Sequence, residues 1–593
     1  MPGSPRGPKK SAAKKQISLF DEPAEEAPSS PDAADRSGGT GSIAGRDGTD
    51  GIESGPAPAL LDSSPAPAPP GAPVPRKHRE TAQSLAARQR EISISEFFTK
   101  NRHLLGYDNP QKALLTTVKE AVDNALDACE EAGILPTLRI SIQEITEERF
   151  RVKVEDNGPG IVRSQIPKIF GQLLYGSKFH TLKSQRGQQG LGISAAGMYG
   201  QLTTGKPITI VSRTGKGSPA HGFDIRIDTR RNVPEAVRDE IVEWAADHGT
   251  VVEIELEAAY KKGKRSVDDY VEQTALANPH AEIFYRSPKG EEFRYPRVTE
   301  ELPKEAIEIQ PHPYGVELGT LMKMLKDTKA RNLRAFFQQD FSRVPAKVAD
   351  SICAKAGVSA SRAPHQASPA EIERLHKAIP SVKIMAPPTN CLSPIGEALI
   401  FKGLEARVKA DFVTSSTRPP AIYRGMPFQV EAGLAYGGDL AADALIEVYR
   451  FANRVPLQYQ QSACAITKAV VTTDWRHYGL SQGKGAPPTG PMILFVHINS
   501  VWVPFTSESK EAVAHYPEII KELRLALQEC GRRLGGFLSH RRRVADEMKK
   551  RSYIERYIPI IGRALQEILA LSDKQRDRAV VNLKDVLEQS RKL

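Results

Sequence analysis

Apolar residues recur with a helical period through VKEAVDNALDACEEAG, where Val118, Ala121, Val122, Ala125 and Leu126 form one stripe. On another face Glu120, Asp123, Asn124 and Asp127 fall at i, i+3, i+4 and i+7, an oxygen-rich row with little basic relief. Such a row is either solvated or committed to chemistry, and the helix alone does not decide between the two. Beyond it, RISIQEI, RFRVKVEDNG, PITIVSRT, FDIRI and TVVEIELE carry the alternation and β-branched content of strands. Helical spacing returns in LGTLMKMLKDT, RNLRAFFQQDF and VADSICAKAG, which predict a small helical insert. A second α/β stretch contains the apolar strand MILFVHINSVWVPF. The chain then closes in helices bearing Arg541, Arg542 and Arg543 and the later run KKR.

Segments rather than one core are expected from 593 residues. The pattern divides them into a tail at 1–88, an α/β domain at 89–310, the helical insert at 311–380, a second α/β domain at 381–545 and C-terminal helices at 546–593. The tail is rich in Pro, Ala, Gly and Ser and almost free of aromatics, so it is expected to be disordered. Within it KKQISLFDE stands out. Gln16, Leu19 and Phe20 resemble the pentapeptide by which bacterial replication proteins dock on the sliding clamp, or form a chance apolar island.

Lys plus Arg number 82 against 71 Asp plus Glu, a net +11 that permits a polyanionic partner without requiring one. Cys129, Cys353, Cys391, Cys464 and Cys530 lie far apart, with no CxxC pair and no histidine at zinc spacing. No apolar run reaches the ~18 to 20 residues of a membrane span. These features predict a reduced, zinc-free cytoplasmic protein.

Glycine-rich loops are the candidate phosphate sites, because freed backbone N–H groups cradle anions. GQLTTGKP nearly satisfies a P-loop, but Pro207 stands where a magnesium-binding hydroxyl is needed and a strand follows. It is read as a turn into a strand, with Lys206 in a supporting basic role. RGQQGLGISAAGMYG is the better candidate: Gly187, Gly190 and Gly192 open a predicted helix. Upstream, VKVEDNGPGI ends a strand on Asp156, Asn157, Gly158 and Gly160. Each signal alone is weak.

Together, and in this order, Glu120 with Asn124, then Asp156 to Gly160, then the 187–192 glycines, then HGTVVEIEL with Thr250 resemble the ATP site of gyrase, mismatch-repair ATPases, heat-shock chaperones and histidine kinases. The blocks YGSKFHTLKSQRGQQGLGISAAGMYGQLTTGKP, CLSPIGEALI, FQVEAGLAYGG and RFANRVPLQYQQSACAITKAV narrow the resemblance to the B subunits of type IIB topoisomerases, from about residue 91 onward. It implies an α+β chain: a Bergerat-type ATPase sandwich, a helix-two-turn-helix-like insert, a transducer domain and a helical C-terminus.

The resemblance also implies roles. Glu120 is the general base, Asn124 holds Mg²⁺, Asp156 accepts from adenine with Thr250 in support, and Gly158 and Gly160 let the chain pass close to the base. Gly187, Gln188, Gln189, Gly190, Leu191 and Gly192 form the lid over the phosphates of ATP, and Lys510 is the switch lysine delivered from the transducer. Asp123 and Asp127 are left to local polar structure. DWRHYGL resembles a DNA-touching motif, giving Trp475, Arg476 and Tyr478, with Arg476 where the family usually has Lys. The implied assembly holds two cleaving A subunits and two B subunits, dimerises its B arms on ATP, passes one DNA duplex through another and works at the nucleoid. The alternatives are a histidine kinase, a mismatch-repair-like ATPase clamp and a non-hydrolysing DNA-binding scaffold.

Overall fold

The computed structural model describes residues 81–89, 91–178, 181–187, 190–507 and 509–589. It divides into two units, Met1–Arg88 and Gln89–Leu593. In the first, the described part is helix α1, Ala82–Arg88. Its first turn is closed by reciprocal bonds, Thr81 N–H to Ser84 Oγ and Ser84 N–H to Thr81 Oγ1. The disordered tail expected through residue 88 therefore gives way to helix before its end, where alanines and a local cap favour it. The rest of the tail, with Gln16, Leu19 and Phe20, lies outside the described residues.

The second unit begins with α2, Ile94–Lys100, and α3, Pro110–Glu131. Asn109 caps α3 by accepting from the N–H groups of Gln111 and Lys112, and Pro110 sits in the first turn, where its missing N–H costs nothing. Strands β1 (Thr137–Thr146), β2 (Arg149–Asp156), β3 (Ile208–Arg213), β4 (Ala220–Asp228), β5 (Val233–Val242), β6 (Gly249–Glu257), β7 (Glu282–Arg286) and β8 (Glu292–Tyr295) form one sheet, in the order β5-β4-β3-β6-β2-β1-β7-β8. Within it only β1 and β7 pair in parallel. One face is covered by α3, α4 (Ile166–Gly171), α5 (Gly192–Thr204) and α6 (Val267–Ala277), through a core that includes Val118, Val122, Ile140, Val152, Ile193 and Ile254. Strand β5 carries little signal in the sequence, since its residues VPEAVRDEIV are mostly exposed at the sheet edge and lack a clean apolar alternation.

Four helices follow: α7 (Leu318–Asp327), α8 (Leu333–Gln339), α9 (Ala346–Ala356) and α10 (Pro369–Ala378). They share a core of their own around Leu321, Phe336, Phe337, Ile352 and Leu375.

After α11 (Glu397–Arg407) come β9 (Phe412–Thr417), β10 (Ala421–Tyr423), β11 (Met426–Tyr436), β12 (Glu447–Ala452) and β13 (Val455–Pro456). Then follow α12 (Ala465–Thr472), the short pair β14 (Ser481–Gln482) and β15 (Pro488–Thr489), and β16 (Met492–Ser500). The second sheet runs β10-β11-β16-β12-β13, with β9 also on β11. Every residue of β16 is buried, as its unbroken apolar run requires. Helix α13, Pro517–Leu569, packs its first half on this sheet through Leu523, Leu527 and Leu534 and continues without a break past residue 545, where the sequence pattern predicts a domain boundary. Its second half pairs with α14, Asp573–Gln589. No helix of the described residues is long and apolar enough to cross a membrane.

Candidate functional site

A cavity of about 550 Å³ opens between α3, the N-terminus of α5 and the loop after β16. Helix α3 sets its floor. Its apolar stripe faces the sheet, so the acidic row turns toward the cavity and the domain junction. Asn124 is exposed into the cavity and Glu120 half-buried in its wall, while Asp123 and Asp127 are buried behind them.

The basic relief missing from the helix comes from the segment ahead of the lid. Lys178 Nζ lies 2.7 Å from Asp127 Oδ2, and Arg186 reaches Asp127 Oδ1 at 2.8 Å and Glu130 Oε1 at 2.7 Å. Burial alone would raise the Asp127 pKa, but Lys178 and Arg186 hold it below the usual carboxylate range. Among the described residues Asp123 has no ion pair of this kind. Burial pushes it up to about 7, and Tyr270 Oη donates to its Oδ1 at 3.2 Å. The bland reading of these two aspartates as local structure fits these contacts.

Asp156 ends β2 at the far side of the cavity. Its Oδ1 accepts from the N–H groups of Gly158 (2.8 Å) and Thr250 (3.2 Å). Burial nevertheless pushes its pKa up to about 6. Thr250 is fixed in turn, its hydroxyl 3.2 Å from Ser212 Oγ. Ala125, Ile161, Phe170 and Val252 supply apolar wall around this carboxylate, the surroundings suited to a flat heteroaromatic ring bearing one donor. Gly158 acts through its N–H on Asp156. Gly160 has φ +71°, and a Cβ there would overlap the Arg213 carbonyl, so its close approach is to strand β3.

Of the residues expected to form a lid, Gly187, Gly190, Leu191 and Gly192 line the cavity, and α5 begins at Gly192 with its N-terminus toward the cavity. Aligned N–H groups and the helix dipole favour an anion there. Gln188 and Gln189 lie outside the described residues. Lys510 enters from the loop after β16 with φ +54°, an unusual conformation for a non-glycine residue. Its Nζ donates to the Arg186 carbonyl at 3.4 Å, and the neighbouring Glu511 is 2.6 Å from Lys112 Nζ on α3. Burial pulls the Lys510 pKa below its ordinary value, with Glu120 opposing and Lys119 adding to the effect. Lys119, Lys178, Arg186 and Glu511 carry no local sequence signal; each matters through contacts across the fold.

Lys206 does not belong to this site. It follows α5 at the end opposite Gly192, and thirteen helical residues, about 20 Å at 1.5 Å per residue, lie between them. The trio expected to touch DNA does not stand together on the surface either. Trp475 is fully buried in the second core, its Nε1–H donating to the Val470 carbonyl at 2.9 Å. Tyr478 packs its ring on Gly531 of α13. Arg476 alone of the three is exposed, paired with Asp474 at 3.0 Å. All five cysteines are buried free thiols, and among the described residues no group of three or more His, Cys, Asp or Glu could hold a metal.

Two family descriptions match the chain. Residues 109–259 match "Histidine kinase-, DNA gyrase B-, and HSP90-like ATPase", and residues 387–551 match "Topoisomerase VI B subunit, transducer". The chain is 49% identical over 489 residues to the B subunit of type 2 DNA topoisomerase 6 of Methanococcoides burtonii, covering 82% of this chain and 79% of that one. Identity to the protein of that name from Archaeoglobus fulgidus is 47% over 508 residues, 86% and 84% of the two chains. For Pyrococcus horikoshii it is 37% over 524 residues, 80% and 91%.

Proposed function

The chain belongs to the family of topoisomerase VI B subunits, and from that premise we propose that it binds and hydrolyses ATP to drive passage of one DNA duplex through another. The observation that carries this reading is convergence. Glu120 and Asn124 from α3, the N-terminus of α5 and Lys510 from the second α/β domain meet on one cavity whose other end holds Asp156.

In this reading Asp156 accepts a hydrogen bond from the adenine amino group, supported by Thr250, and the residue 187–192 lid presents N–H groups to the phosphates. Glu120 polarises the attacking water and takes its proton, a task for a carboxylate placed beside the reacting phosphorus. Lys510 stabilises charge on the departing phosphoryl group. Asn124 would hold magnesium: an exposed amide oxygen with no cage of carboxylates suits an ion that keeps most of its shell for water and phosphate. Magnesium, when bound, offsets phosphate charge.

Because Lys510 belongs to a different domain from Glu120, nucleotide state is coupled to the relative position of the two domains. The reading extends to an A subunit that cleaves DNA, in an assembly of two A and two B chains. It includes ATP-dependent pairing of the B arms and action in the cytoplasm at the nucleoid. Steady-state hydrolysis with Glu120→Ala tests it: nucleotide binding is retained and turnover lost, and full turnover by that variant overturns the assignment.

A further inference from the structure

The turn between β12 and β13 consists of two residues, Asn453 and Arg454, with φ of +46° and +68°. Glycine ordinarily takes at least one place in such a turn, and a non-glycine pair held there points to a use for the side chains. Asn453 uses both ends of its amide. Nδ2 donates to the Gln185 carbonyl at 3.0 Å and the Ser500 carbonyl at 2.9 Å. Oδ1 accepts from Ser500 N–H at 2.9 Å and from Ser184 Oγ at 3.3 Å. Asn499 on β16 adds a second hold, donating to Ser184 Oγ at 2.7 Å.

Ser184 and Gln185 are the stem of the lid. Arg186 comes next, gripping Asp127 and Glu130 on the helix that carries Glu120 and accepting Lys510 Nζ at its carbonyl. Gly187 then begins the lid itself. The stem is thus held from the transducer by Asn453 and from the ATPase domain by Arg186. Asn453 also forms part of the wall of a cavity of about 20 Å³, room for one water, whose other walls include Glu120, Asn124 and Lys510.

We propose that Asn453 is a positioning residue for ATP hydrolysis, the point at which the transducer grips the segment 184–186 and sets Gly187 and Lys510 against Glu120. It touches neither adenine side nor phosphate side directly; its effect passes through Ser184, Gln185 and Arg186. The inference rests on the cavity being an ATPase site and adds another link between the domains, beside Lys510 and the Glu511–Lys112 pair.

The test uses the full chain assembled with its A subunit. Asn453→Gly suits the positive φ and removes the amide without adding backbone strain; Asn453→Asp keeps the shape and removes the Nδ2 donor. The expected result is ADP affinity within about twofold of wild type with kcat lowered at least tenfold in Asn453→Gly, and a loss at least as large in Asn453→Asp, whose carboxylate would face the two carbonyls that Nδ2 now holds. Ser184→Ala, cutting the same link from the other side, is expected to lower kcat, and the double variant Ser184→Ala/Asn453→Gly to be no slower than Asn453→Gly alone. Wild-type kcat in Asn453→Gly, parallel loss of ADP affinity and kcat, or multiplicative losses in the double variant overturn the proposal. Glu120→Ala assayed alongside separates the two readings: if it hydrolyses ATP normally the ATPase assignment has failed, and if it is inactive while Asn453→Gly is normal only this inference has.

Discussion

Gly192 lies against the Glu120 carboxylate so closely that a side chain at 192 would overlap Oε2. The residue at the start of α5 is therefore fixed by Glu120 on α3, and the glycine lets that end of α5 and the carboxylate proposed to activate water share one corner of the cavity.

Gly192→Ala is accordingly expected to displace Glu120 or the start of α5. Misplacement on the order of 1 Å at a reacting centre costs about 100-fold in rate. Steady-state ATPase checks this, with kcat falling far more than ADP affinity.

Lys510→Ala removes the cation facing Glu120 and is expected to lower kcat by about 100-fold, the usual loss when one charge-stabilising donor is deleted. Glu511→Gln weakens the contact with Lys112 that holds the same loop, so a smaller loss of kcat is expected. Single-turnover hydrolysis with saturating ATP measures both.

The Asp156 carboxyl, held up at about 6 by burial, gives the nucleotide site a pH dependence. Its ionised form is the better acceptor for an adenine amino group. Between about pH 4 and 6 the free site must therefore lose a proton to bind, and affinity falls as pH drops through 6. Phosphate titration contributes equally in wild type and in Asp156→Asn, so the difference between their affinity–pH profiles isolates this carboxyl; it should show a one-proton step that closes above pH 7.

Trp475→Ala should destabilise the transducer by about 3–5 kcal/mol, as expected for deleting a fully buried aromatic, with the loss seen in denaturant melts without DNA. Arg476→Ala should leave stability unchanged and, if the exposed guanidinium meets a phosphate, lower the slope of log K against log salt by about 1.

The elements with strong local pattern are legible in the sequence. Helix α3, the strand ending on Asp156 and the glycines opening α5 declare themselves through period and backbone demands. What is not legible depends on distance through the fold. Lys206 is close to Gly192 in sequence yet separated from it by the length of α5. Trp475 sits in a motif that resembles a DNA contact, and only packing against α12 and α13 shows it to be core. Arg186 and Asn453 gain their importance from partners 47 to 324 residues away, for which no local signal exists. The boundary expected at 545 falls inside one continuous helix, which serves both the transducer core and the C-terminal hairpin.

The central claim, that this cavity hydrolyses ATP to drive duplex passage, is tested most directly by supercoiled-plasmid relaxation with the chain and its purified A subunit. Relaxation should require ATP and magnesium and be abolished by Glu120→Ala in a complex that still assembles and still binds nucleotide. ATP-independent relaxation, or undiminished relaxation by the Glu120→Ala complex, would contradict the account.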